Sequence, residues 1–460
     1  MKTTPNACST RGSAASRREF LRHAASLSAY GAAAPLALQL SAMSAASAQT
    51  ADDYRALVCI FLYGGNDSYN TLVPYDALHH GLYQQARPDL ALARSELQST
   101  ILRPDGGWSG SRAFALHPAM AALKPVFDNG KLALGLRVGT LVAPTTLADY
   151  VNGRNLPPKL LSHNDQFSLW QTMLNEGAST GWGGRMGDLL AAANGPGTLL
   201  TNITVGSSSV FSSGLQSFEY PLNVSGPVAL AAAATPAARQ LIEAQLSAPR
   251  ALLLRRELRS RYLRTAQASQ LLGQALGSVG PVPMPASPLG ASLGMVARAI
   301  AARQGLGVRR QVFFVSIGGF DTHASQRPQH DPLLGIVAEA MAAFQTALDA
   351  QGVSQQVTTF TASDFGRTLT SNGDGTDHGW GSHVMVMGGA VRPRSWFGAL
   401  PSMRLGADDD IGQGRLLPAV SVDQYGATLA RWMGVPAAQM STVFPNIGRF
   451  DRGDLGFMMG

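Results

Sequence analysis

The sequence predicts an α/β fold built on a largely parallel sheet, and three observations carry that expectation. Short apolar runs rich in β-branched and aromatic residues recur along the chain, helical stretches separate them, and polar residues gather where the runs stop.

The runs cover residues 56–63, 311–317, 356–361 and 383–387, with 132–138 as a further neighbour. Their apolar character is continuous rather than alternating, as strands buried on both faces require. Helical patterning covers 117–127, 164–175, 231–275, 291–304, 332–351 and 423–433. Strands that alternate with helices predict a doubly wound arrangement. Residues 195–228, rich in Gly, Ser, Asn and Thr, read as loops or a small β-extension, and 277–290 as a Pro-rich connector inside one domain. There is no internal repeat.

The N-terminus reads differently. Ser16-Arg17-Arg18-Glu19-Phe20-Leu21 precedes a weakly apolar, Ala-rich run over 24–40, and Ala46-Ser47-Ala48 offers a small-x-small cleavage site before Gln49. A charged region, a diluted apolar region and a cleavage site in that order resemble a twin-arginine export signal over residues 1–48. The expected partner is therefore the twin-arginine translocase, and the expected location is periplasmic or secreted. No later segment reads as a lasting membrane span.

Removing that segment lowers the net charge from +7 to +3, with 31 basic and 28 acidic residues left. The mature chain has no Lys/Arg block, so no nucleic-acid partner is expected. Cys8 leaves with the signal and Cys59 remains alone, so no internal disulfide forms.

Chemistry concentrates after the strands. Gly64-Gly65-Asn66-Asp67 follows the first, Gly318-Gly319-Phe320-Asp321-Thr322-His323 a later one, and Ser363-Asp364-Phe365-Gly366-Arg367 the next. Thr376-Asp377-His378-Gly379-Trp380-Gly381-Ser382-His383 precedes the run at 383–387. In open parallel sheets the carboxyl ends of the strands line the ligand crevice. Carboxylates and imidazoles together suit a divalent ion, Zn²⁺ first, with Mn²⁺ or Fe also fitting and Ca²⁺ less so. The bland alternative makes Asp67, Asp321 and Asp364 helix N-caps.

These motifs, with Leu116-His117-Pro118, Ser162-His163-Asn164-Asp165 and Gly181-Trp182-Gly183-Gly184-Arg185, resemble a large family of twin-arginine-exported bacterial proteins in the alkaline phosphatase/sulfatase superfamily. The resemblance covers nearly the whole mature chain. It implies an α/β/α sandwich over residues 49–460, with a helical insertion at about 228–305, and one or two divalent ions that activate attack on phosphorus or sulfur. It implies metal ligands among Asp67, Asp321, His323, Asp364 and His378; His383, in the last of the polar clusters, is a further candidate ligand. Two departures stand out: Phe365 occupies a position where well-studied phosphatases carry a histidine, and Asp364 stands where the family would place Glu. The formylglycine signature of sulfatases is absent.

Ser162 is a candidate nucleophile at a helix N-terminus, or an ordinary cap. His163 is a candidate general acid or ligand. Arg185 and Arg367 are candidate clamps for an anionic ester substrate, or structural ion pairs. The leading expectation is a metal-dependent hydrolase of phosphate or sulfate esters. Its rivals are a non-catalytic exported binding or assembly module and, more weakly, a metal-loaded oxidoreductase.

Overall fold

Strand β1 (Arg55–Leu62) is buried along its length and lies between two parallel partners, which makes it the axis of the fold. The computed structural model describes residues 54–228, 235–247 and 253–459. The export segment read over 1–48 lies outside the described residues.

Three short strands, β2 (Leu72–Pro74), β3 (Ile101–Leu102) and β4 (Phe114–Leu116), form a separate small sheet. The central sheet holds β5 (Leu132–Gly139), β6 (Asn202–Val205), β7 (Tyr220–Asn223), β8 (Gly226–Pro227) and β9 (Arg310–Ile317). It also holds β10 (Val357–Ser363), β11 (Ser382–Met387) and β12 (Trp396–Gly398), and β13 (Val420–Ser421) joins it on β5. The order is β12-β5-β11-β10-β1-β9-β6-β7-β8. All of these strands but β8 and β11 run in one direction.

β11 departs from the parallel arrangement expected of its apolar run. Parallel pairing needs a crossover, usually a helix, that returns the chain to the starting edge. Residues 364–381 stay at the carboxyl end of β10 without a helix, so the chain enters β11 from that end and runs back.

The principal helices are α1 (Ala77–Ala86), α2 (His163–Thr172), α3 (Trp182–Leu190), α4 (Pro236–Ser247) and α5 (Leu253–Gly277). They continue with α6 (Pro288–Ala301), α7 (Gln326–Ala350) and α8 (Val422–Met433). β1 shows how two layers enclose the sheet. Ala56, Val58, Ile60 and Leu62 share a core with Leu293 and Val296 of α6 and Leu334, Val337, Met341 and Phe344 of α7. The opposite side chains join an aromatic layer, where Phe61 meets Phe314 at 6.0 Å, Trp182 meets Phe360 at 5.4 Å and Phe360 meets Tyr425 at 5.8 Å. Each such buried side chain stabilises the fold by about 1.5–3 kcal/mol. The architecture is an α/β/α sandwich.

α7 is long and apolar enough to cross a membrane by length and composition, which the sequence reading did not anticipate. Here its apolar stripe lies in the core. It also begins before Pro332, which sits inside the helix. The segment 195–228 takes the β-extension of its two readings, and β6 pairs in parallel with both β9 and β7. The helical patterning over 231–275 corresponds to two helices, α4 and α5, and its residues 231–234 and 248–252 lie outside the described residues.

Candidate metal centre

Leu62 stands level with Ile317 on one side and Ser363 on the other, so the segments leaving β1, β9 and β10 start from one line. The exit from β9 carries Asp321 and His323. The exit from β10 carries Asp364 and Arg367, and the hairpin leading back into β11 carries His378. The first turn of α2 adds His163.

Asp321 is the meeting point. Its Oδ1 accepts a hydrogen bond from Nη2 of Arg367 at 2.6 Å and lies 3.1 Å from Nε2 of His323 and 3.2 Å from Nε2 of His378. Nε2 of His163 lies 3.4 Å from Oδ2. The Nε2 atoms of His323 and His378 are 2.9 Å apart.

Each ring is held from outside by its other nitrogen. Nδ1 of His163 lies 2.7 Å from Oδ2 of Asp364, Nδ1 of His378 lies 2.7 Å from the carbonyl of Leu161, and Nδ1 of His323 faces Oδ1 of Asp377 at 3.4 Å. A carboxylate or a carbonyl can only accept, so these contacts place a hydrogen on Nδ1, and in the neutral ring they leave the Nε2 lone pair directed inward. Nε2 of His163 is buried and makes no hydrogen bond. Two inward lone pairs 2.9 Å apart repel unless a proton or a cation lies between them.

Local backbone makes this convergence possible. Gly64 has φ +116°, and a Cβ there would sit 2.4 Å from the backbone nitrogen of Asp321; Gly65 has φ +82°, and its Cβ would strike the Phe365 ring. Only glycine lets β1 exit so close beneath both segments. Leu161, which offers its carbonyl to His378, is held at φ +72° and Lys159 at φ +44°, left-handed conformations that a side chain disfavours. The Phe365 ring lies 4.7 Å from His163 and 4.5 Å from His378, an apolar wall rather than a ligand.

Charge is arranged to match. Partial burial works to raise the pKa of Asp321, but the Arg367 guanidinium and the neighbouring imidazoles outweigh it and hold the carboxyl below its usual range. The hydrogen bond to Asp364 raises His163, against burial. Burial lowers His378. Arg367 is fully buried and also donates to the carbonyls of Gly65, Phe320 and Thr376.

Other sequence candidates stand apart. Asp67 is fully buried: Oδ1 accepts the N–H of Tyr69, and Oδ2 receives Nη1 of Arg87 at 2.5 Å and Nε2 of Gln326 at 2.5 Å. It caps a short helix and closes an ion pair, so its oxygens are occupied. His383 lies within β11; its Nδ1 accepts the N–H of Arg137, its Nε2 meets no partner, and burial pushes it down to about 4. Arg185 nests on the carbonyls of Thr172, Thr180 and Val443, away from the cluster, and burial pushes it down to about 10. Asp364 supports His163 through Oδ2, which also accepts the N–H of Gly64, while its buried Oδ1 meets no hydrogen-bond partner. Ser162 donates its Oγ to Oδ2 of Asp165 at 2.7 Å and makes no side-chain cap.

His163, Asp321 and His378 each offer a ligand atom within 4.8 Å of the others, and His323 stands beside them. Nitrogen from imidazole with one carboxylate oxygen is a donor set that fits Zn²⁺, and the outer acceptors on the rings are the kind that orient ligating histidines. The Leu161 carbonyl had no signal in the sequence. Asp377 lies in a motif already noted, but its part depended on how the hairpin folds.

The fold and this site define an α/β protein with a strand-end Asp/His centre. The chain belongs to the family described as protein of unknown function (DUF1501), which matches it over residues 54–447. No curated protein matches it. Among solved structures it is similar to the C-terminal periplasmic domain of EcEptC from Escherichia coli, at 9% identity over 88% of this chain and 90% of that one, with a TM-score of 0.33. It is similar to PsFucS1 sulfatase from Pseudoalteromonas sp., at 8% identity over 92% and 77%, with a TM-score of 0.34. A phosphonate monoester hydrolase of Agrobacterium radiobacter matches at 11% identity over 83% and 74%, with a TM-score of 0.28. Likenesses this remote add nothing to a reading of the site.

Proposed function

We propose that the protein is an exported, metal-dependent hydrolase of phosphate or sulfate esters, with one divalent ion held by His163, Asp321, His323 and His378. Zn²⁺ suits this set best, and Mn²⁺ is the next candidate. The observation that carries the reading is the convergence of three Nε2 atoms on one carboxylate, each ring pinned through Nδ1. A bound ion of this kind polarises an ester oxygen and lowers the pKa of an attacking water or hydroxyl.

The chain's own groups supply the rest. Asp364 holds the Nδ1 proton of His163 and fixes the ring. Arg367 keeps Asp321 anionic and places a buried positive charge beneath the rim that an anionic ester would approach. Ser162 is adjacent to His163, but its hydroxyl is engaged by Asp165, so water is the attacking group in this reading.

That same observation favours the second reading, a non-catalytic binding or assembly module. Among the described residues no side-chain hydroxyl is hydrogen-bonded to Asp321 or to the three imidazoles. Screening the exported protein against aryl phosphate monoesters, diesters and sulfates separates the two. Turnover that is lost on chelation and in Asp321→Ala and His378→Ala supports the hydrolase. Turnover that survives both substitutions places the chemistry elsewhere, and its complete absence with metal bound favours the module.

The export part of the reading rests on Ser16-Arg17-Arg18-Glu19-Phe20-Leu21 and its following segment. It makes the twin-arginine translocase a partner and the periplasm or the exterior the destination. Replacing Arg17 and Arg18 by Lys is expected to retain a folded precursor in the cytoplasm; unimpeded export would remove this part alone.

A further inference from the structure

Behind the centre lies a buried polar cluster that the site chemistry does not use. Arg87 and Asp67 are both fully buried and joined at 2.5 Å. The Arg87 guanidinium is flanked by the rings of Tyr69 and Tyr83, at 5.3 Å and 5.8 Å. Its remaining donors go to Oδ1 of Asn70 and to the backbone carbonyls of Thr368 and Leu369. On the other side, Gln326 donates to Asp67 and accepts the hydroxyl of Thr376 at 2.6 Å.

Those attachments fall on two arms of one hairpin. Thr368 donates its N–H to the carbonyl of Asp377 and accepts the N–H of Asp377 on its hydroxyl, while Arg367 and His378 form the bridge beside them. Arg87 therefore grips the arm that carries Arg367, and Gln326 grips the arm that carries His378. The N–H of Thr376 also bonds to the carbonyl of Thr322, which ties in the segment holding Asp321 and His323.

We propose that the Asp67–Arg87–Gln326 cluster is a positioning clamp that sets the separation of Asp321, His323 and His378, so that Asp67 acts on the metal centre through the hairpin rather than as a ligand. The clamp rests on the metal-centre reading. A buried ion pair is a suitable device for it, because its contribution to stability can be small while its geometry is strict. Guanidinium has a fixed fork of donors, and here those donors reach a carboxylate and two carbonyls at once.

The test separates position from stability. Removing one partner leaves the other buried and unpaired, so Asp67→Asn alone is expected to fold poorly. Replacing both, Asp67→Leu with Arg87→Met, removes the unpaired charge but strands the carbonyls of Thr368 and Leu369, so in urea unfolding it is expected to be less stable than wild type and more stable than Asp67→Asn. Zn²⁺ affinity of the full mature chain is then measured by chelator competition. The clamp predicts affinity about 10- to 100-fold weaker in the folded double variant. Wild-type affinity in that variant overturns the proposal. Should the double variant not fold, Gln326→Leu decides: it cuts the tie to Thr376 and leaves the ion pair intact, and unchanged affinity overturns the clamp while a comparable loss supports it. A wild-type chain that binds no Zn²⁺ would instead overturn the metal centre itself.

Discussion

Asp364 holds Nδ1 of His163 at 2.7 Å, and that contact turns the imidazole so that Nε2 faces Asp321. A carboxylate that sets the tautomer and direction of a ligating ring works without touching the ion. Asp364→Ala is expected to weaken Zn²⁺ binding about 10- to 100-fold while the protein stays folded. Calorimetric titration with Zn²⁺ checks this, and unchanged affinity would mean that His163 does not take part.

Asp321 receives contacts from three imidazoles and one guanidinium, so its loss removes the shared point of the cluster. Asp321→Ala is expected to abolish stoichiometric metal uptake, as elemental content of the purified variant would reveal. Asp321→Asn keeps the shape but loses the charge, and uptake is expected to fall without disappearing.

Arg185 is expected to behave as a structural residue. Its guanidinium satisfies three backbone carbonyls in the core, and Arg185→Ala leaves those acceptors without donors. A stability loss of about 2–4 kcal/mol follows from stranding such groups. Metal affinity of the folded fraction is expected to stay at the wild-type level; a selective loss of affinity would return Arg185 to the site.

His330 and His383 are buried and neutral, and burial pushes each down to about 4. The unfolded chain takes up a proton on each near 6.5, whereas the folded chain resists until about 4. Their depressed values therefore add stability that is fully present above 6.5 and is lost as pH falls from 6.5 toward 4. Each is worth up to about 3 kcal/mol over that window. Urea midpoints measured between pH 7 and pH 4.5 should fall, and less steeply in His330→Gln.

Asp423 works in the opposite sense. Burial pushes it up to about 6, so its contribution is greatest below about 4 and is lost as pH rises through 6. Asp423→Asn is expected to flatten that part of the profile. Its carboxylate accepts the N–H of Asn446, which the amide oxygen can still accept.

The sheet was legible because its strands are apolar on both faces; the runs at 311–317 and 356–361 match β9 and β10 to within a residue or two. β6 was legible only as the small β-extension that was one of two readings of 195–228, since Asn202 and Thr204 are polar and it is the pairing with β9 that decides for strand. α3 was missed: Gly183, Gly184 and Gly187 argue against a helix, and burial of Trp182, Met186 and Leu190 overrides them. At the candidate site, local motifs pointed to Asp321, His323 and His378, whose side chains the fold brings together, because polar clusters and strand ends coincide in sequence. Asp67 looked equivalent by the same rule. Its separate fate depended on Arg87, a residue twenty positions on that no local pattern connects to it.

The most direct test is the metal content of the mature protein purified after export, without added chelator. About one equivalent of Zn²⁺ or Mn²⁺ per chain, lost in His378→Ala, is the expected result. A stably folded, metal-free protein that takes up no divalent ion on titration would contradict the account.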